Sequence, residues 1–415
     1  MNPRHGAPFR GIRHARRLRG HSVVHVVALT LVAVTTFGIG GLAAAYLRLS
    51  GNIETVDVEH LLGERPDRVE ATPDPEDPNP GQPLNILLMG SDRRDGENAV
   101  IGGEVEGMRS DTTIVAHISA DRSRVELVSI PRDSRVDIPS CNYNDGTTSR
   151  AQSGRFNAAF SIGAVHEDVG EAAACTLRTV ESLTGLYIDE WAVVDFAGFQ
   201  AMVNALDGVP MCIPQELYSE KAGLHLQPGP QTLNGQQALA LARARTGLNL
   251  GYGSDLERLG RQHELLGAIV QQALSKNLLT DSPALLQFLD AATRSLTTSP
   301  DLGEVPALTG LAWSLRNIPS SNIVLMTIPN RTNPNDPNEV VWTEDAALVW
   351  SNMANDIPIV PPVTPPPTTD DPVAPADPSA PADPAVPPAP SVPSTPAPTP
   401  GVDPIRADDV ATVCG

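Results

Sequence analysis

Arginines and aspartates fall in two blocks far apart along this chain, and their types and spacing suit one kind of chemistry. The first block runs Leu84-Asn85-Ile86-Leu87-Leu88-Met89-Gly90-Ser91-Asp92-Arg93-Arg94, resumes at Arg109-Ser110-Asp111 and ends at Ser129-Ile130-Pro131-Arg132-Asp133. The second holds Arg243-Ala244-Arg245 and then Ser254-Asp255-Leu256-Glu257-Arg258-Leu259-Gly260-Arg261-Gln262. Guanidinium forks match phosphate oxygens, and magnesium typically takes one or two carboxylates with water and phosphate oxygens completing its shell. Asp92 and Asp111 facing arginines therefore point to a phosphorylated ligand held with a divalent cation, magnesium or alternatively manganese. Phosphoryl transfer is the first expectation. Each residue also has a plainer reading. Asp92 suits the Gly90-Ser91-Asp92 turn and Asp111 a strand entry; Arg243 and Arg245 suit a helix C-terminus; Arg258 and Arg261 suit a solvated helix face. The Gly-rich stretch 246–253 weighs against the plainer readings, since a flexible crossover lets both arginine pairs approach one anion.

Other chemistries lack their residues. No Walker-type phosphate loop and no G-x-S-x-G nucleophile elbow occurs. His117, His166, His225 and His263 are scattered without ligand spacing.

Apolar runs Leu84–Met89, Thr113–Ile118 and Val125–Ile130 predict strands, each followed or preceded by the polar groups just named. Ligands of α/β folds bind at that edge of the sheet. Cys175–Leu183 predicts a helix, Trp191–Phe196 a strand, Phe199–Leu206 a helix and Val209–Ile213 a strand. Asn234 suits an N-cap for a helix through Arg243, and Ser254-Asp255-Leu256-Glu257 fits a capping box. Leu256, Leu259, Leu266, Ile269, Val270, Ala273 and Leu274 continue a helical apolar stripe, and Arg258 and Gln262 project together from another face. Further helices are expected at Ser282-Pro283 and at Thr343-Glu344-Asp345. Interleaved strands and helices give an α/β class: a mixed central sheet flanked by helices.

The 415-residue chain divides by composition. Residues 1–21 are basic, and 22–48 form an uncharged run up to Arg48, close to the roughly 20 residues of a transmembrane helix. The arginines set its N-terminus on the cytoplasmic side and the rest outside the plasma membrane. An acidic, proline-rich stretch (49–82) predicts an extended linker. Residues 83–357 are globular, and 358–415 form a Pro/Ala-rich tail expected to be disordered. The formal net charge is −20, and beyond Arg48 22 basic residues face 49 acidic ones. Such an exterior excludes nucleic acid as partner, because backbone binding needs a basic surface. Cys141, Cys175, Cys212 and Cys414 all lie beyond the membrane run, where an even count favours two disulfides out of three pairings. A Cys141–Cys175 bridge would close a loop of about 35 residues, worth roughly 3–4 kcal/mol on the chain-entropy model. Cys212 with Cys414 then follows by elimination.

The chain resembles the LytR-CpsA-Psr family of membrane-anchored cell-wall enzymes. The matching segments are Asn85–Asp92, Arg109-Ser110-Asp111-Thr112, Ser129–Asp133, Phe156-Asn157-Ala158-Ala159-Phe160, Val194–Phe199, Leu233–Ala240, Arg243-Ala244-Arg245 and Arg258–Gln262. They keep the family's order over 84–276. The resemblance implies a phosphotransferase that moves a glycopolymer from a polyprenyl-pyrophosphate carrier onto peptidoglycan, with side pyrophosphatase activity. It implies magnesium on Asp92 and Asp111. It places pyrophosphate on Arg109, Arg132, Arg243, Arg245 and Arg258, and Arg94, Arg261 and Gln262 of the same charged blocks are further candidates to bind it. Arg132, Arg243, Arg245 and Arg258 would be catalytic; on chemical grounds Asp255, or alternatively a carboxylate near the metal, is a candidate base for the acceptor hydroxyl. An apolar groove would take part of the polyprenyl chain. The Asp-Pro-Arg-Gly run of many members is replaced by Gly247–Gly253, and the family's usual lysine is Arg155. The cysteines and tail are similar to actinobacterial members. The alternative is a non-catalytic, membrane-anchored binding or regulatory protein, for which the complete charged set is surplus.

Overall fold

The computed structural model describes residues 19–67, 81–93, 96–102, 107–251, 255–275, 282–361, 403–410 and 414. The chain divides into two units, residues 1–51 and 52–415. Helix α1 (Arg19–Asn52) makes up the described part of the first. The run expected to span the membrane (22–48) is helical throughout, yet among the described residues no helix is long and apolar enough to cross a membrane.

The second unit is built on an eight-stranded sheet. Its strands are β1 (Glu54–Thr55), β2 (Leu84–Ser91), β3 (Ser110–Ile118), β4 (Val125–Ile130), β5 (Glu190–Val194), β6 (Leu296–Thr298), β7 (Ile323–Thr327) and β8 (Ile405–Arg406). Their spatial order is β1-β6-β5-β2-β3-β4-β7-β8. Strands β2 and β5 are parallel, as are β4 and β7, while β3 runs antiparallel between β2 and β4. The sheet is therefore mixed, as expected.

Successive strand residues point to opposite faces, and here both faces are covered. Leu87, Val115 and Val128 join a core with Ala173, Leu177 and Val180 of helix α2 (Val169–Thr184). Ile86, Ala116 and Leu127 join a second core with residues of α3 (Phe196–Ala205), α4 (Gly235–Arg243) and α5 (Asp255–Ser275). Helices α6 (Ser282–Thr293), α7 (Val305–Leu315) and α8 (Glu344–Ala354) follow, and Val349, Trp350 and Met353 of α8 return to the first core. The result is a three-layer α/β/α arrangement.

Several boundaries differ from the sequence expectation. Helix α2 starts at Val169, where the Asp168 side chain accepts from the Glu171 N–H, so Cys175 lies in mid-helix rather than opening it. The linker expected over 49–82 is folded in part. Val58, Leu61 and Leu62 are buried, and Arg65 donates to Glu181, Glu59, the Tyr187 hydroxyl and the Ile188 carbonyl. The far end of the expected tail is also part of the domain. Strand β8 pairs with β7, Ile405 and Ala407 are buried, and Gln271 of α5 donates to the carbonyls of Ala407 and Val410. Apolar residues at two separated points recover enough burial to order short segments that their polar surroundings disguise. Cys141–Cys175 and Cys212–Cys414 are bridged, with Cα separations of 5.2 and 5.1 Å.

Candidate functional site

Strands β2, β4, β5 and β7 all end at one edge of the sheet, and the antiparallel β3 begins there. The edge thus collects Asp92, Asp111, Arg132 and the Asp195-Phe196 step. A β-bulge decides how Asp111 is presented. Gly90 pairs with Thr112 and Ser91 with Ser110, so Asp111 is the extra residue between two ladder partners. Such a residue leaves the pleat and re-aims its side chain. The Asp111 side chain keeps 41% of its surface exposed, while of its guanidinium partners Arg258 is buried and Arg132 nearly so.

Arg132 reaches Asp111 Oδ1 from the turn after β4, its Nη1 donating at 2.8 Å. Arg258 arrives from the first turn of α5. It is 2% exposed, donates from Nη2 to the Asp111 backbone carbonyl at 3.1 Å, and places Nη1 3.9 Å from Asp111 Oδ2. Burial pushes the Asp111 carboxyl up, but Arg132, Arg258 and Arg245 together hold it below the usual carboxylate range. It is ionised at neutral pH. Two arginines from distant parts of the sequence therefore converge on one exposed carboxylate.

Arg243 ends helix α4, which Asn234 and Gln237 start with a reciprocal capping box. Its guanidinium stacks 4.5 Å from the Phe196 ring centroid, and its Nη1 donates to the Ile101 carbonyl at 3.4 Å. Asn98 and Asp195 hydrogen-bond at 2.8 Å and tie the short helix Gly96–Gly102 to the start of α3. The stack on Phe196 was not anticipated from sequence, although both residues lie in motif segments. Arg245 enters through its field on Asp111.

The described part of the crossover between the arginine pairs, through Gly251, is held rather than loose. Leu248 and Tyr218 exchange backbone hydrogen bonds, and Gly247 sits at φ +149°, where a Cβ would collide with the Tyr218 carbonyl. Arg261 donates to the carbonyls of Leu250 at 3.1 Å and Ala244 at 2.6 Å. Gln262 donates to the Ala242 carbonyl at 2.9 Å. Both satisfy carbonyls that helix α4 and its exit leave open, and so fix the position of Arg243 and Arg245. His263, next along α5, is buried and bonded to Ser129 Oγ at 2.9 Å; burial lowers its imidazole to about 4. Sequence spacing carried no signal for that contact.

Arg109 contributes its backbone N–H to Asp92 Oδ1 at 2.6 Å, while its side chain is exposed. Asp255 opens α5, one turn before Arg258; Arg94, Ser254 and the Asp255 side chain lie outside what the structure describes. Beside Asp92, a polar cleft of about 160 Å³ opens between Ser91, Arg93, Asp195 and Arg294.

The carboxylates suit a small hard cation in a limited way. Among the described residues no group of three or more His, Cys, Asp or Glu converges. Asp111 and Asp92 flank adjacent ladder positions, however, and magnesium needs only one or two carboxylates when a phosphate shares its shell. The donor set fits such a cation.

An α/β/α sandwich with converging arginines over an ionised aspartate at the strand ends defines an anion-binding class, and sequence comparison narrows it. The chain belongs to the LytR_cpsA_psr family, whose profile matches residues 47–355. It is 32% identical over 295 residues to the probable cell wall biosynthesis protein LcpB of Corynebacterium glutamicum, covering 69% of this chain and 64% of that one. It is 31% identical over 209 residues to the polyisoprenyl-teichoic acid–peptidoglycan teichoic acid transferase TagU of Enterococcus faecalis, covering 50% of this chain and 59% of that one. The chain thus spans less than two thirds of the length of these relatives. The fold is similar to the crystal structure of protein gbs0355 from Streptococcus agalactiae, with TM-score 0.52 and 21% identity over 66% of this chain and 87% of that one.

Proposed function

We propose that this protein transfers a glycopolymer from a polyprenyl-pyrophosphate carrier to peptidoglycan during cell-wall assembly, and that it slowly cleaves the pyrophosphate when no acceptor is present. The observation that carries the reading is the convergence of Arg132 and Arg258 on the ionised, half-exposed Asp111. Family membership and the transferase names of relatives such as TagU support it.

Asp111 and Asp92 would hold magnesium, or manganese, which when bound neutralises charge on the bridging phosphate oxygens. The protein's own share is electrostatic. Arg132, Arg258, Arg243 and Arg245 bind the pyrophosphate and stabilise negative charge as it gathers on the departing phosphate. Because Arg258 is buried and Arg132 nearly so, their field is little screened by water. Asp255, one turn before Arg258, is the carboxylate offered for deprotonating the acceptor hydroxyl. Helix α1, uncharged from 20 to 47 apart from its histidines, would anchor the chain with its N-terminus cytoplasmic and the catalytic unit on the wall side. Tethering keeps the enzyme at high effective concentration near a carrier confined to the bilayer.

The test uses the full chain in detergent with a polyprenyl-pyrophosphate saccharide and Mg²⁺. Arg132→Ala and Arg243→Ala should each lose about 10²–10³-fold in pyrophosphate cleavage, the usual cost of removing one transition-state donor. Chelation by EDTA should abolish turnover. Full cleavage by either variant would reject the assigned roles.

A further inference from the structure

Arg132 has a second carboxylate neighbour that the functional reading leaves unused. Asp133 Oδ2 forms an ion pair with Arg132 Nε at 3.5 Å, whereas Asp111 Oδ1 meets Nη1 of the same guanidinium. The other oxygen, Asp133 Oδ1, lies 3.3 Å from Arg155 Nη1. Arg258, Asp111, Arg132, Asp133 and Arg155 therefore form a row of alternating charge, with the exposed carboxylate of the site near one end. The two aspartates differ sharply. The Asp111 side chain is 41% exposed, whereas that of Asp133 is 11% exposed and enclosed by arginines. Asp133 is too enclosed to meet a ligand directly.

The backbone around it is fixed from two sides. The Asp133 carbonyl accepts from Val340 N, the Arg132 carbonyl from Asn157 N, and the Ser134 carbonyl from Phe156 N. Arg155 stands opposite Arg135 in the hairpin of strands Arg135–Ile138 and Gln152–Arg155, and Glu339 approaches both. A rigid backbone thus carries a long, flexible arginine side chain whose direction its neighbouring carboxylates Asp111 and Asp133 help to set.

We propose that Asp133 is a positioning residue that shares Arg132 with Asp111 and keeps its guanidinium turned toward the pyrophosphate. This deepens the pyrophosphate-transfer reading and rests on it. With Asp133 neutral, the Asp111 carboxylate would face less competition for Arg132, and the tighter pairing would withdraw both groups from the ligand. Arg132 and Arg155 would also face each other as like charges. Simple charge counting predicts the opposite sign, because removing a negative group beside an anion site should tighten anion binding. The two accounts separate cleanly in an experiment.

The probe is inorganic pyrophosphate with Mg²⁺, titrated calorimetrically into the full-length protein in detergent. Asp133→Asn should weaken binding about tenfold, in the range of couplings between neighbouring charges. In an Arg132→Ala background the same substitution should change affinity less than about twofold, because the residue it positions is gone. Arg155→Gln, at a half-exposed side chain where folding is not at stake, should weaken binding about threefold, and Arg155→Lys should restore most of it. Tighter binding by Asp133→Asn, or an equal loss in both backgrounds, overturns the positioning role while leaving the pyrophosphate site standing. If the unsubstituted protein binds no pyrophosphate, the functional reading falls and this inference falls with it.

Discussion

Acid should loosen the helix that delivers Arg258, and His263 sets the size of the effect. The imidazole is buried between α5 and β4, bonded through Nε2 to Ser129 Oγ, with no partner for Nδ1 among the described residues. Only the neutral ring with its proton on Nε2 leaves no buried N–H unpaired. Burial accordingly lowers the group from 6.5 to about 4. In the unfolded chain it titrates near 6.5, so below that pH the unfolded state binds a proton that the folded state refuses. The stability is fully present above pH 6.5, declines as pH falls, and is fully lost below about 4. At pH 5 the loss from this residue is about 2 kcal/mol, and the whole shift corresponds to about 3 kcal/mol. Urea denaturation followed by tryptophan fluorescence at pH 7 and pH 5 measures the total change. His263→Gln, which keeps a donor toward Ser129 but does not titrate, isolates the His263 share from carboxylates titrating in the same range. The wild type should lose about 2 kcal/mol more than the variant between the two pH values. Equal losses, within about 0.5 kcal/mol, would refute the buried neutral imidazole and the argument built on it.

Two further outcomes follow from long-range links. Cys414→Ser opens a bridge between positions 202 residues apart, which the chain-entropy model values at about 5 kcal/mol as an upper figure. The urea midpoint under non-reducing conditions should fall clearly, and an unchanged midpoint would show that β8 stays docked without the bridge. Arg65→Met leaves the buried Glu181 carboxylate without its guanidinium and should cost about 3–5 kcal/mol in thermal unfolding. Adding Glu181→Gln should recover part of that loss, whereas a neutral Arg65→Met would mean the segment before β2 is not held by this contact.

Much of the central layer was legible because its signals are local. Leu84–Met89, Thr113–Ile118 and Val125–Ile130 are apolar runs long enough for strands and bounded by polar turns, and β2, β3 and β4 contain them. Asn234 caps α4 as its type and spacing predict, because an N-cap needs only its own side chain and the next few N–H groups. The gathering of Asp92, Asp111 and Arg132 at one sheet edge follows from the same reading, since each adjoins a strand end.

What the sequence determined by itself, then, is which residues form strands and helices and which charged groups stand at their ends, since neighbours along the chain supply those preferences. Tertiary structure decided the rest. The bulge that turns Asp111 outward exists only in the register of β3 against β2. Arg258, Arg261 and Gln262 share a helix and a similar local pattern, yet the first meets the carbonyl and carboxylate of Asp111 and the other two meet carbonyls around the exit of α4. That choice depends on where the exit of α4 passes α5, which no local preference encodes. Strands β1 and β8 are two residues each, too short for any periodicity, and form because distant partners offer them an edge and a core. Local propensity acts through the next few residues, whereas register, burial and charge pairing act between segments that meet only in the folded chain.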